Sequence, residues 1–190
     1  MNRLGDWWTG ILKREWMDYL QTVSPVKCFF LSLEERLKIA EFVVKAAAGR
    51  VPVVASGHVS EAVEDQITEL QKMAETGIDA LILITNRLAK KEEDDDVWMN
   101  NLRKVMDALP EELPLGFYEC PYPYKRLITP EELAWCAATS RFYFIKDTSC
   151  SLDDIQKNWI LSAEAQSFYL MRTRPLCWKR CIWEQRGSAA

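Results

Sequence analysis

A chain of 190 residues, 48% hydrophobic and 27% charged, carries enough apolar mass for one globular core. Its formal net charge of −4 and the lack of a basic stripe exclude a nucleic-acid surface, and no apolar run reaches the roughly 18 residues of a membrane helix. Six cysteines without a CxxC pair suggest neither zinc nor a disulfide framework, and the N-terminus lacks the basic-then-apolar order of a signal peptide, so a cytoplasmic protein is expected.

From Ser32 the pattern becomes regular. SLEERLKIAEFVVKAAAG has a serine N-cap, Glu35 three residues on, an apolar stripe at helical spacing and a terminal glycine, which together predict a capped helix. VPVVASG, residues 51–57, is short, branched and apolar, as a strand buried on both faces requires. The alternation repeats with a helix over 60–76, a strand DALILIT over 79–85, a helix over 96–109 and a strand PLGFYEC over 114–120. Thr129 and Pro130 start another helix as N-cap and N1, FYFIKDTS over 142–149 is a fourth strand, and SLDDIQK over 151–157 begins a further helix.

Strands alternating with helices imply a parallel sheet, either open and doubly wound or closed as a barrel. No glycine-rich phosphate loop of either common kind is present, which favours a β/α barrel. The acidic run Glu92 to Asp96 reads as a solvated loop entering a helix N-terminus rather than a metal site.

In such a barrel the chemistry sits at the C-terminal ends of the strands. Lys146 lies there, inside FYFIKDTS, with the inward parity of Phe142 and Phe144, and Tyr118 lies near the end of the preceding strand. Burial lowers a lysine pKa from about 10.4 toward neutrality and frees a nucleophilic amine for imine formation, while a neighbouring phenol relays the proton. The plain alternatives are a snorkelling lysine or one paired with Asp147, and a core tyrosine with a satisfied hydroxyl. The single histidine, His58, follows a strand at the rim and reads as a loop contact rather than a base.

SLEER, GRVPVVASG, DALILIT, PLGFYECP and FIKDTS, in this order and spacing, make the segment similar to the dihydrodipicolinate synthase / N-acetylneuraminate lyase family of class I aldolases. The resemblance implies a (β/α)8 TIM barrel, commonly homotetrameric, that binds a 2-oxo acid such as pyruvate as a lysine imine with no cofactor and no metal. Lys146 matches the imine-forming lysine, and Tyr118 matches the tyrosine of the family's YNxP motif, here Tyr118-Glu119-Cys120-Pro121. Thr85 matches the start of the family's TPYY segment as a substrate-binding residue, while Asn86, Arg87 and Leu88 depart from it. Pro123 stands where the lysine-biosynthesis enzymes carry a carboxylate-binding arginine, so that activity is not expected, and Lys125 or Arg126 is nominated to meet an anionic group in a different distal pocket.

The resemblance covers residues 29–157. Ser24-Pro25-Val26-Lys27 replaces the family's Gly-x-x-Gly-Glu loop, and its NANTxTLL segment does not follow Lys157. Both ends, 1–28 and 158–190, are tryptophan-rich, and alternative reading frames of possible coding sequences yield family-like segments, so a frameshifted gene and a barrel incomplete at both ends are expected. Two functional readings stand: a lyase acting on a small 2-oxo acid through Lys146 and Tyr118, or an inactive truncated or frameshifted fragment of such an enzyme. A phosphate-binding barrel would need a glycine-rich loop after the late strands, which the chain lacks.

Overall fold

Ser32 caps the first helix, α1 (Leu33–Ala47), by the reciprocal pairing its sequence predicts. Its hydroxyl accepts from the Glu35 N–H at 3.2 Å, and the Glu35 carboxylate accepts from the Ser32 N–H at 2.8 Å, which satisfies donors that a helix start leaves orphaned. The helix ends in two left-handed residues, Ala48 at φ 50° and then Gly49 at φ 69°. These coordinates are a computed structural model that describes residues 29–148 and 169–172. The helix expected over 151–157, the end of the fourth strand at Ser149 and the segments 1–28, 158–168 and 173–190 lie outside the described residues.

After α1 come β1 (Val54–Ala55), α2 (Val63–Ala74), β2 (Ala80–Ile84), a 3-10 turn (Thr85–Arg87), α3 (Asp95–Asp107), β3 (Leu115–Tyr118), α4 (Pro130–Ala138), β4 (Phe142–Asp147) and β5 (Tyr169–Arg172). The strands form one sheet in the order β1-β2-β3-β4-β5, and every neighbouring pair is parallel. The four strands expected from the sequence are therefore adjacent and parallel. β1 is shorter than its apolar run because Pro52 has no N–H to donate and the Val53 N–H goes to the Asp79 carboxylate at 2.7 Å rather than into the ladder. The acidic run performs as a helix entry: Asp94 caps α3 by accepting from the Val97 N–H at 3.0 Å, and Thr129 with Glu132 forms a second reciprocal cap on α4.

The two faces of the sheet are unequal. Leu81 and Leu83 of β2, Leu115 and Phe117 of β3, and Phe142 and Ile145 of β4 share one core with residues of all four helices, among them Ala40, Leu70, Trp98 and Leu133. The opposite face carries small clusters dominated by strand residues, Ala80 with Phe144 and Ile84 with Tyr118, joined by Cys120 just past the end of β3. Helices on one face only are the arrangement of a barrel wall, whereas a doubly wound sheet covers both faces. Among the described residues five strands of such a wall are present. No helix among them is long and apolar enough to cross a membrane.

The expected parity of β4 requires one correction. The pairing slips between Leu115 and Gly116, so that Leu115 faces Phe142 while Gly116 faces Phe144, and Tyr143 is the extra residue. Phe142 consequently turns to the helices and stacks on Phe117 at 4.5 Å, while Phe144 and Lys146 keep the expected inner face, where Tyr143 also packs against the Ala80–Phe144 cluster. Gly116 makes room for that turn: a Cβ there would lie 2.2 Å from a ring carbon of Phe144. The bulge decides on which side of the wall the lysine emerges.

Candidate active site

Three consecutive parallel strands put Ile84, Tyr118 and Lys146 level with one another near their C-terminal ends. Tyr118 and Lys146 are direct neighbours across β3 and β4, and the Lys146 Nζ lies 4.4 Å from the centre of the Tyr118 ring. Both side chains are withdrawn from water, Tyr118 to 7% exposure and Lys146 to half-burial. Burial favours the neutral amine and holds Lys146 below the usual lysine range, opposed by the nearby Cys120 and by the attraction of a cation to the ring face.

Cys120 follows Tyr118 by two residues and so shares its face; it is fully buried. The Tyr118 phenol and the Cys120 thiol each bear on the other's proton affinity, the phenol favouring the thiolate and the thiol disfavouring the phenolate. Burial pushes the phenol well above the ordinary tyrosine range, and the adjoining thiol adds to that shift. The thiol is itself raised, again chiefly by burial. At neutral pH the phenol therefore holds its proton and is equipped to act as an acid.

The backbone around Lys146 is clamped by Glu119, which is buried. Its N–H donates to the Lys146 carbonyl at 3.2 Å, its carbonyl accepts from the Thr148 hydroxyl at 2.7 Å, and its carboxylate accepts from the N–H groups of Thr148 at 3.0 Å and Ile128 at 3.1 Å. Four bonds from one residue fix the strand end on which the amine sits, and a carboxylate suits the place because both side-chain contacts are N–H donors.

The remaining sequence candidates occupy other positions. Thr85 is fully buried, and its hydroxyl donates to the Arg126 carbonyl at 2.7 Å. The Lys125 amine is exposed and donates to the Thr148 carbonyl. Arg126 directs its guanidinium to the Asp95 carboxylate and approaches Glu132 at 3.6 Å, away from the small inner-face cluster. The structure thus brings Tyr118 and Lys146 together, ties Lys125 to the chain two residues beyond Lys146, and leaves Thr85 and Arg126 as a loop fastening.

Sequence reasoning did not single out Glu119 or Cys120 as contributors to the site. Cys120 was legible from its spacing to Tyr118. For Glu119 only its replacement of the motif's asparagine gave a signal.

His58 is a loop contact, as expected, and a demanding one. It is fully buried; its Nε2 accepts from the Ile84 N–H at 2.6 Å, which leaves the proton on Nδ1, 2.9 Å from the Gln66 carbonyl oxygen. Desolvation pushes its pKa down from 6.5 to about 4. A histidine lowered in the folded state contributes stability that is complete above pH 6.5 and is lost as pH falls through about 4. Unfolding free energy measured by urea titration should fall by about 3 kcal/mol across that window, and His58→Gln should flatten the slope. An equal slope in the variant would contradict this assignment.

The model of the Dihydrodipicolinate synthetase family matches residues 27–170. The range runs past Lys157 and into β5. The chain is 32% identical over 142 residues to the 4-hydroxy-tetrahydrodipicolinate synthase of Bacillus velezensis and 32% over 141 residues to that of Bacillus subtilis, covering 74% of this chain and 46% of each relative. It therefore spans about half the length of these curated relatives. Solved structures similar to it include dihydrodipicolinate synthase DapA-2 of Bacillus anthracis, with TM-score 0.62 and 21% identity over 74% of this chain and 46% of that one. Another is the prophage protein YagE of E. coli K12 in complex with pyruvate, with TM-score 0.64 and 23% identity over 75% and 47%. The parallel wall is part of a TIM barrel, and the chain belongs to the dihydrodipicolinate synthetase family of lyases.

Proposed function

We propose that the protein forms an imine between Lys146 and a 2-oxo acid of the pyruvate type, and uses it to make or break a carbon–carbon bond beside the carbonyl. The observation that carries this reading is the half-buried amine 4.4 Å above a buried phenol, on adjacent strands at the C-terminal rim of the wall. The neutral amine adds to the C2 carbonyl to give a carbinolamine. The Tyr118 hydroxyl protonates the departing hydroxyl, water leaves, and the nitrogen lone pair completes the C=N bond. The protonated imine then withdraws electrons from C3, where an aldol bond forms or breaks.

The motif position of the lysine-biosynthesis arginine holds Pro123, which supports a substrate other than that pathway's. A second reading, a chain that keeps the family wall without catalysing, is favoured by its coverage of 46% of the curated relatives and by five strands among the described residues. Borohydride added to the chain with pyruvate separates the two readings. Catalytic chemistry leaves one stable pyruvyl adduct in the intact mass, and a non-catalysing wall leaves none.

A further inference from the structure

Arg87 ends the 3-10 turn that follows β2, on the same rim as Tyr118 and Lys146. Its surroundings differ from those of Arg36 and Arg126, each of which is ion-paired. Arg87 is half-buried, its Nε is buried without a hydrogen-bond partner among the described residues, and the one hydrogen bond its guanidinium makes among them is a long one of 3.3 Å to the Val59 carbonyl. Among the described residues no carboxylate pairs with it. A guanidinium withdrawn from water without an anion is unfavourable, and the Phe29 ring 5.0 Å from its centre compensates only in part.

That ring also orients the fork. Phe29 packs against the cluster of Ile84, Tyr118 and Cys120, so the guanidinium lies one ring away from the inner-face residues, and its charge is felt at the Cys120 sulfur. β2 and β4 flank β3 and are about 10 Å apart, two strand spacings. The Lys146 Nζ, lying over Tyr118 of the middle strand, already crosses one of them. Arg87 follows Ile84 of β2 by three residues, so Tyr118 of the middle strand stands between the elements that carry the two cations.

We propose that Arg87 receives a carboxylate at the end of the substrate remote from the reacting carbonyl, so that the 2-oxo acid handled at Lys146 is a dicarboxylate. The cations nominated by sequence do not compete for this task, because Arg126 is paired with Asp95 and Lys125 is bonded to Thr148. The planar fork of Arg87 suits bidentate capture of a carboxylate, and the buried, unpartnered Nε is a donor ready to serve it.

This inference rests on the Lys146 reading, and the experiment separates the two. The full chain is treated with borohydride and either 2-oxoglutarate or 2-oxopentanoate, the same chain without the terminal carboxylate, and the trapping rates are compared. The chain should prefer 2-oxoglutarate by at least about 10-fold. Arg87→Met should reduce that preference by about 10-fold or more, mainly through the half-saturating concentration, and Arg87→Lys should restore part of it. On the unmutated chain, 2-oxoglutarate and not 2-oxopentanoate should slow the modification of Arg87 by phenylglyoxal. No preference in the unmutated chain, or an unchanged preference in Arg87→Met, overturns the role of Arg87. If neither acid gives an adduct, the lysine reading fails, and Arg87 is judged by phenylglyoxal alone: selective protection upholds its role and none overturns it.

Discussion

Lys146→Ala is expected to abolish borohydride-trapped pyruvate adduct altogether, and Lys146→Arg to do the same while keeping the positive charge. An imine needs a primary amine that gives up its proton, and guanidinium does not. The nearest alternative named by the sequence, Lys125, is exposed and engaged with the Thr148 carbonyl, so it lacks the burial that favours a neutral amine at Lys146. Intact-mass measurement after reduction reads the result. Adduct persisting at the unmutated level in Lys146→Ala would remove this residue from the chemistry.

Tyr118→Phe is expected to slow imine formation by about 100-fold, the usual scale of a lost proton relay, with the trapped product unchanged. The substitution keeps the ring beneath the amine and removes the hydroxyl. A second variant separates the two contributions of this side chain. Tyr118→Leu loses the ring face as well and should be slower still, because the charged imine loses a favourable contact of about 0.5–2 kcal/mol. If Tyr118→Phe formed imine at the unmutated rate, the phenol would be no more than packing.

Both expectations depend on a face of the sheet that the sequence expressed incompletely. The parallel order of β1 to β4 was legible, because branched apolar runs alternate with helices whose caps, Ser32 with Glu35 and Thr129 with Glu132, are written in the chain. The lysine and tyrosine were legible from their place near strand ends and from the family's motifs. The bulge at Tyr143 was not: all four residues of FYFI are aromatic or apolar and fit either face, so nothing local marks the slip, and it is the ring of Phe144 over Gly116 that sets it. Nor do the fates of the basic residues follow from composition. Arg126 and Arg87 are alike on paper, and among the described residues only the approach of Asp95 to one and Phe29 to the other separates an ion-paired guanidinium from one without a carboxylate.

The Glu119 clamp has the same origin. Its four bonds reach Lys146, Thr148 and Ile128 across separations of up to 29 residues, and strand pairing creates them rather than any local pattern. The preorganisation they supply matters, since a misplacement of about 1 Å at a reacting group lowers rates on the order of 100-fold.

The location of the reduced adduct tests the account most directly. The chain is incubated with pyruvate and borohydride, digested, and its peptides are sequenced by mass spectrometry. The account predicts pyruvyl mass on the peptide carrying Lys146 and on no other. Adduct on a different lysine, or on none, would contradict it.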